Sequence, residues 1–364
     1  MPDESLCASR RCTWLRLSHY RLIWPASALQ EHGYDITVLP PHEKSGFLAK
    51  VADREDGTQQ LTSVTVPPDA DVIVLQRPAH PLQPQMIKLM RSHGIAVVVD
   101  MDDDMSSIDP NNVAYHTYRP GSSSPLSWKH AAQSCHNATL VTTSTRALQR
   151  VYSRPGQGMV LDNYVPEAYL TMERGDTRNF GWAGTTKSHP NDLQVAGNTY
   201  QRLIDEGYHF RTVGGRSNVR QAARLRDPVD CTGSIPLIDW ARVIYQELYV
   251  GMAPLGATAF NQGKSRLKAI EYMAGGVPWV GSPREEYRRL NRESGCGLMA
   301  TTPKEWYTNL KRLLTDDVLH KEQSEAGRAY MATETYQANA WRFMEAWSRA
   351  HEMERGRVAQ KQSM

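Results

Sequence analysis

Short runs of aliphatic and β-branched residues alternate with helical patterns along the chain, and this alternation starts afresh near residue 179. In the first half the clearest runs are Asp71–Gln76 and Ile95–Asp100. Between them, Pro84–His93 has the pattern of a helix that ends at Gly94. Alternating strands and helices build a parallel sheet that is covered by helices. The sequence therefore predicts an α/β fold with two doubly wound units.

The other predicted elements follow the same alternation in both halves. The predicted strands are Thr13–Leu17, Asp35–Leu39, Thr139–Thr143, Asn179–Ala183, His209–Gly214, Val229–Thr232, Val250–Pro254 and Val277–Gly281. The predicted helices are Tyr20–His32, Trp128–Asn137, Asp192–Gly207, Asp239–Tyr249 and Ser265–Ala274. Open sheets of this kind bind ligands at the carboxyl ends of their strands, so we expect two units that face each other across a binding cleft.

The length of 364 residues exceeds what one hydrophobic core usually organises, although a single large α/β domain is the alternative. The pattern pauses at Val160–Tyr169, and the charged stretch Glu173–Arg178 is typical of a linker. We predict Rossmann-like domains over 1–172 and 173–345, the second with helices at its end. The residues 346–364 contain little apolar surface and are expected to form a charged, frayed tail.

Composition limits the class of protein. The hydrophobic fraction is 40%, and no apolar run approaches the roughly 20 residues that a membrane helix needs. The N-terminal residues lack the apolar stretch of a secretory signal, so we expect a soluble cytoplasmic protein without integral membrane contact. The five cysteines lack C-x-x-C spacing, which favours reduced packing residues over disulfides or zinc ligands. A net charge of +3 neither demands nor excludes an anionic partner.

The most informative stretch is Phe260–Ser282, which has the pattern of a loop, a helix, a glycine turn and a strand. We expect Lys264 and Ser265 at the helix start, where free N–H groups and the helix dipole favour a phosphate. Lys268 follows one turn later, and Glu271 lies on the same face. One helix would thus offer phosphate donors and a carboxylate for ribose hydroxyls. An amphipathic helix with solvated charges is the alternative.

The pattern K-S-x-x-K-x-x-E-Y-x-A-x-G-x-P in this stretch resembles the retaining glycosyltransferases of GT-B architecture, including relatives from bacteriophage and bacterial surface-polysaccharide clusters. The resemblance implies that 1–172 binds the acceptor and that 173–345 binds a nucleotide sugar. It also implies that Glu271 holds the donor ribose and that the helix start holds the phosphates. One departure is that the family's first glutamate would fall at Gly263.

A second segment extends the resemblance to the donor side. Phe180–Asp192 resembles the first strand and glycine turn of the family's second domain, which implies donor-binding roles for Gly184 and Thr185. Lys187 would supplement them, with a surface role as the alternative. Gly214 belongs to a VGGR segment that resembles a strand end beside the nucleotide base. An ordinary structural turn is the alternative for these short pieces.

In the first half, YRLIWP and VLQRP are similar to strand ends and helix starts of phage-type members, which implies that Arg21 and Arg77 bind the acceptor. The acidic run DMDDD stands where many members carry a histidine beside the reacting sugar. We therefore expect Asp102 and Asp103 to be catalytic together with Lys264, and Asp104 to contact the acceptor. A helix N-cap and a metal-binding D-x-D are the alternatives for this run.

These observations lead to a functional expectation. The chain is expected to be a hexosyl- or pentosyltransferase that uses a nucleotide sugar, retains the anomeric configuration, and needs neither cofactor nor metal. The acceptor hydroxyl would belong to a protein, a glycan or a hydroxylated DNA base, in the host cytoplasm if a phage encodes the chain. The alternatives are an inverting transferase or a nucleotide-sugar epimerase of the same architecture, and a non-catalytic nucleotide- or DNA-binding protein.

Overall fold

The computed structural model describes residues 18–38, 48–57, 59–67, 69–121, 126–215 and 218–363. The chain divides into two compact units. The first unit contains the described residues up to Ile108, the segment Tyr115–Asn163 and the residues from Asn339 onward. The second unit contains Asp109–Ala114 and Tyr164–Ala338. The predicted strand Thr13–Leu17 lies outside the described residues.

The first unit is built on a parallel sheet. In chain order its elements are α1 (Trp24–Glu31, after a π-helical turn at His19–Ile23), β1 (Leu48–Asp53), β2 (Gln59–Thr65), β3 (Val72–Gln76), α2 (Gln83–Ser92), β4 (Ala96–Met101), α3 (Tyr115–Tyr118), α4 (Ser127–Asn137), β5 (Leu140–Thr143), α5 (Arg146–Tyr152) and β6 (Gly158–Val160). Strands β3 to β6 form the parallel sheet in sequence order, and β1 and β2 form an antiparallel pair. Every residue of β4 is buried, as is typical of an inner strand of a parallel sheet whose faces are covered by helices.

The second unit contains a six-stranded parallel sheet. Its elements are β7 (Phe180–Ala183), α6 (Thr199–Asp205), β8 (Phe210–Val213), α7 (Val219–Ala222), β9 (Asp230–Cys231), α8 (Leu237–Glu247), β10 (Val250–Ala253), α9 (Ala259–Gln262), α10 (Leu267–Ala274), β11 (Trp279–Gly281), α11 (Glu285–Ser294), β12 (Leu298–Met299), α12 (Pro303–Thr315) and α13 (Asp317–Met331). The strand order is β12-β11-β10-β7-β8-β9. The chain therefore reverses its direction of winding between β7 and β10, which is where open α/β sheets bind ligands.

Most predicted elements are confirmed within one to three residues, but two are wrong. Residues 34–38 form no strand, so the predicted strand Asp35–Leu39 is absent from its described part. The predicted helix Asp192–Gly207 is interrupted: Asp192–Ala196 is a 3₁₀ turn and α6 begins only at Thr199. Gly197 separates the two pieces with a φ of 60°, a backbone conformation that cannot continue a right-handed helix.

The end of the chain is helical, which contradicts the predicted frayed tail over 346–364. Helix α14 runs over Tyr336–Gln362, and from Asn339 onward it belongs to the first unit. Glu354 on this helix is 0% exposed and accepts hydrogen bonds from Arg91 Nε and Thr139 Oγ1, each at 2.8 Å. Buried polar contacts hold the helix in place. The prediction of a frayed tail considered only the small apolar surface of these residues, so it missed these contacts.

Two expectations from composition can be compared with the structure. Cys135, Cys231 and Cys296 are free thiols, and Cys135 and Cys296 are buried, as packing residues are. The remaining cysteines, Cys7 and Cys12, lie outside the described residues. Within the part of the chain that the structure describes, none of the helices has the length and apolar character needed to cross a membrane.

Candidate functional site

The glycine turn after β7 lies at the point where the second sheet changes direction. Gly184 donates its backbone N–H to the carbonyl of Val213 at 2.8 Å, at the end of β8. Gly214 has a φ of 127°, and a Cβ there would lie 2.3 Å from the Gly184 carbonyl oxygen. Only glycine fits this close approach of two turns. The predicted residues Gly184 and Gly214 are thus brought together.

Helix α10 is bound to the same edge of the sheet through Tyr272. The Tyr272 hydroxyl accepts from the backbone N–H of Ala183 and donates to the carbonyl of Met252, both at 2.9 Å. These two backbone groups belong to β7 and β10. One buried tyrosine therefore fixes the helix at the switch point of the strand order.

Lys268 and Lys264 are held differently on this helix and its approach. Lys268 Nζ donates to the carbonyl of Ala183 and lies 5.1 Å from the centroid of the Trp182 ring. A Cβ at Gly184 would lie 3.1 Å from this ammonium, so Lys268 reaches the glycine turn. Lys264 Nζ lies 4.3 Å from the centroid of the Phe260 ring. Both contacts are within the range of cation–π attraction.

The helix begins later than the sequence indicated. Its N-cap is Arg266 and its first residue is Leu267, so Lys264 and Ser265 precede the helix and do not open it. Arg266 is buried, donates to the Tyr330 hydroxyl at 2.7 Å and pairs with Glu334. This anchor fixes the segment that carries Lys264. Gly263, where the family's first glutamate would fall, is buried.

Glu271 is 5% exposed, and its Oε1 accepts a hydrogen bond from Trp240 Nε1 at 3.0 Å. Trp240 lies on α8, so the contact joins the two helices. A hydrogen bond to a buried carboxylate fixes its orientation. The predicted ribose ligand therefore belongs to a packed part of the unit, with its carboxylate held in one direction.

Thr185 and Lys187 continue the glycine turn. Thr185 Oγ1 accepts from the backbone N–H of Lys187 at 3.3 Å, and the Lys187 carbonyl accepts from Val113 N–H at 2.9 Å. The side chain of Lys187 is exposed. The turn is thus fixed through its backbone, while the Lys187 ammonium lies at the surface.

Sequence reasoning missed a buried polar group beside this turn. His189 Nδ1 lies 2.8 Å from Asp192 Oδ2, and Asp192 Oδ1 accepts from Gly256 N–H at 2.8 Å and Asn261 Nδ2 at 2.6 Å. Burial raises the pKa of Asp192, but the hydrogen bonds from His189, Gly256 and Asn261 outweigh it and lower the pKa overall. The H-x-x-D spacing directly after the glycine turn is the sequence pattern that could have indicated this pair.

The corresponding edge of the first unit contains buried ion pairs. Arg21 is 1% exposed, and its guanidinium donates to both oxygens of Asp100, at 3.0 and 2.7 Å. It also donates to the Leu161 carbonyl at 2.7 Å, and Thr142 Oγ1 donates to Asp100 at 2.7 Å. The guanidinium of Arg21 is therefore paired inside the unit, and its acceptor-binding role stays a prediction.

Arg77 joins two of the predicted catalytic acids. It pairs with Asp102, and its Nη2 donates to Asp103 at 2.9 Å. Its φ of 48° places a non-glycine residue in the left-handed region, a strained conformation often found at functional sites. Burial alone would lower the pKa of Arg77, but the two carboxylates raise it. Arg77 is thus a fixed cation beneath the acidic run.

Asp102 is 5% exposed, and its Oδ2 has no hydrogen-bond partner among the described residues. Burial raises the pKa of this carboxyl, and the nearby charges of Asp103 and Asp100 add to that effect against the opposing Arg77. The single guanidinium of Arg77 pairs with both Asp102 and Asp103. Buried polar atoms without partners are rare in proteins, which makes Oδ2 a candidate ligand-binding atom.

Asp104 forms a turn with the residues that follow it. Its Oδ1 accepts from Ser106 N–H at 3.0 Å, and its Oδ2 accepts from the Ser107 hydroxyl at 2.6 Å. The carboxylate of Asp104 therefore stabilises a local turn, and its contact with an acceptor stays a prediction. Within the described ranges, no group of three or more His, Cys, Asp or Glu side chains is arranged to hold a metal ion.

The chain is similar to known proteins in part of its sequence and in its fold. Residues 177–316 match the family model described as Glycosyl transferases group 1. A search of curated proteins found no significant match. The region matched by the family model includes the glycine turn, both lysines and Glu271.

Solved structures match over a larger share of the chain at low identity. HepE from Anabaena, in complex with UDP and glucose, matches with 12% identity and a TM-score of 0.58 over 76% of this chain and 77% of that chain. Sucrose-phosphate synthase from Thermosynechococcus elongatus matches with 14% identity and a TM-score of 0.53 over 89% and 91%. The pneumococcal O-GlcNAc transferase GtfA, in complex with UDP and GlcNAc, matches with 10% identity and a TM-score of 0.52 over 84% and 70%. The predicted GT-B fold class is confirmed by these structures, and residues 177–316 are similar to the glycosyl transferases of group 1.

Proposed function

We propose that the chain transfers a sugar from a nucleotide-sugar donor to an acceptor hydroxyl with retention of configuration. The observation that carries the proposal is the assembly of the glycine turn, Lys264, Lys268 and Glu271 at the switch point of the second sheet. Ligands of open α/β sheets bind at this position. Sugar transfer from a diphosphate requires cations and backbone N–H groups where the leaving charge develops.

Each donor-side residue has a role in this proposal. The turn at Gly184 and Thr185 offers backbone N–H groups to the diphosphate, and Gly214 allows the second turn to approach it closely. Lys264 balances the charge on the leaving phosphate, and Ser265 adds a hydroxyl donor beside it. Glu271, oriented by Trp240, accepts from the ribose hydroxyls.

The first unit supplies Asp102 in this proposal. Its partnerless Oδ2 accepts from a substrate hydroxyl, and Arg77 keeps the carboxylate in place. Because Arg77 already provides a fixed positive charge beside Asp102 and Asp103, we propose that the reaction needs no divalent metal. Activity in the presence of EDTA, compared with added magnesium or manganese, tests this part.

The donor proposal is tested with a panel of nucleotide sugars. UDP-glucose and UDP-GlcNAc come first, since HepE and GtfA have been solved with UDP and these sugars, followed by GDP-, ADP- and dTDP-sugars. The readouts are thermal stabilisation and donor hydrolysis, which need no acceptor. Candidate acceptors are then added in a reducing buffer of neutral pH, as in cytoplasm. They represent the three proposed classes: a protein, a glycan and hydroxylated DNA. No response to any nucleotide sugar would contradict the proposal.

Inverting transfer is a second candidate, and the raised pKa and partnerless oxygen of Asp102 favour it, because an inverting enzyme needs a carboxylate or histidine base. The anomeric configuration of the product, measured by NMR, separates the two outcomes. Asp102→Asn keeps the shape of the side chain and removes the base. It should abolish inverting transfer, whereas a retaining enzyme should keep part of its activity.

A further inference from the structure

His189 lies among the residues proposed to bind the donor diphosphate, yet none of their roles uses it. Its ring packs edge-on against Trp182, with the centroids 6.1 Å apart, and Lys268 lies on the same tryptophan. Its side chain is 18% exposed, so the ring is largely enclosed but reachable. His189 is therefore part of the turn that approaches the lysines of the candidate site.

The two nitrogens of the His189 ring have different surroundings. Nδ1 is held by Asp192 at 2.8 Å, which fixes the orientation of the ring. The opposite nitrogen, Nε2, has no hydrogen-bond partner among the described residues. In a neutral ring that donates from Nδ1 to a carboxylate, Nε2 carries a lone pair and cannot donate. Nε2 becomes a donor only when the ring gains a second proton.

The charges that face His189 come from three elements. Asp192 belongs to its own turn, Lys264 to the segment before α10, and Lys268 to α10. Burial is the largest influence and lowers the pKa of His189, and the two lysines lower it further against the opposing effect of Asp192. Burial and the two lysine charges thus favour the neutral ring. An anion beside the lysines would offset their charges and raise the pKa of His189.

We propose that His189 gains a proton from solvent as the donor diphosphate binds, and then donates its Nε2–H to a phosphate oxygen. This inference rests on the proposed donor site. A diphosphate between Lys264, Lys268 and the glycine turn would offset the lysine charges and place an acceptor near the ring. Asp192 would hold the protonated ring through Nδ1, while its other oxygen keeps the loop before Lys264 in place through Gly256 and Asn261.

The proposal predicts the direction in which donor affinity changes with pH. The free ring has a pKa below its ordinary value of 6.5, and the bound ring has a higher one. Donor binding therefore takes up protons in the interval between the two values, and affinity rises as the pH falls through that interval. The dependence approaches tenfold per pH unit where one full proton is taken up. Because His189 and Asp192 are hydrogen bonded, the titration belongs to the pair.

The test is calorimetric titration of the full chain with UDP-glucose, and with ADP-, GDP- and dTDP-glucose if UDP-glucose fails to bind. These diesters carry no phosphate group that titrates near neutral pH, so protons taken up belong to the protein. Titrations between pH 5.5 and 7.5 in buffers of different ionisation enthalpy give the number of protons bound. His189→Gln, which retains an amide donor, is compared with Gln194→Ala, an exposed control on the 3₁₀ turn that follows. His189→Asn is the second variant if the first does not fold.

We expect proton uptake in the wild type and in Gln194→Ala, and binding without proton uptake in the His189 variants. Binding without proton uptake in the wild type, or uptake that persists in the variants, would overturn the role of His189 and leave the donor site standing. Failure of every sugar nucleotide to bind the wild type would overturn the donor site, and the inference with it.

Discussion

The two units present different chemistry at the carboxyl ends of their parallel strands. In the first unit, Arg21 and Arg77 form buried ion pairs with the carboxylates of Asp100, Asp102 and Asp103. In the second unit, Lys264 and Lys268 lie on aromatic rings, and Lys268 bonds a backbone carbonyl. Breaking a buried ion pair is costly, whereas a cation–π contact contributes little. Arg21 and Arg77 should therefore influence folding, and Lys264 and Lys268 should influence ligand binding.

The largest expected effect is on the stability of the first unit. Arg21→Met should lower the free energy of unfolding by about 3–5 kcal/mol, because it leaves the buried carboxylate of Asp100 without its cation. Urea unfolding, followed by circular dichroism and tryptophan fluorescence, measures it. Lys264→Ala is the control from the second unit and should cost under about 1 kcal/mol. Equal losses in the two variants would remove the contrast between the units.

The next effect is on catalysis by the second unit. Lys264→Ala should lower turnover by roughly a hundredfold, or about 3 kcal/mol, since it removes a positioned charge from the leaving diphosphate. The measurement is single-turnover sugar transfer at saturating donor. Lys187→Ala, with its exposed side chain, is the matched control and should remain near wild type. Near-normal turnover of Lys264→Ala together with a loss in Lys187→Ala would reassign the phosphate contact to Lys187.

A smaller effect is expected at Glu271. Glu271→Gln should weaken donor binding about tenfold, or about 1.4 kcal/mol, because an amide accepts less strongly than a carboxylate from ribose hydroxyls. The amide oxygen can still accept from Trp240 Nε1, so thermal unfolding should be unchanged. Glu271→Ala is the contrasting variant. It leaves the buried tryptophan N–H unsatisfied and should cost about 1–3 kcal/mol of stability. Unaltered donor affinity in Glu271→Gln would place the ribose elsewhere.

An effect of similar size concerns the pH dependence of stability in the second unit. His320 stacks on Tyr249 with ring centroids 3.7 Å apart, and burial lowers its pKa to about 4. Since the unfolded chain binds this proton near pH 6.5, the stabilising contribution is present above that pH and is lost as the pH falls toward 4. His320→Gln should reduce this acid sensitivity by on the order of 1–2 kcal/mol. Urea midpoints at pH 7 and pH 4.5 measure it, and identical pH dependence in both proteins would contradict the assignment.

The sequence by itself determined the α/β class, and it pointed to the two segments that the donor-site proposal uses. Buried strands such as Ala96–Met101 have continuous apolar runs, and the glycine turn and the Lys264–Glu271 segment have local patterns that do not depend on distant contacts. Such features are encoded within a few residues of one another. The order of residues along the chain is therefore enough to reveal them.

Only the tertiary structure decided which charges are internal. Arg21 pairs with Asp100 across 79 positions, and Glu354 bonds Arg91 across 263, so neither contact leaves a local pattern. The same holds for Asp192, which joins the glycine turn to Asn261. A charged residue has the same letter in the sequence whether it is solvated or buried beside a partner. Its role follows from the desolvation and pairing that the fold imposes.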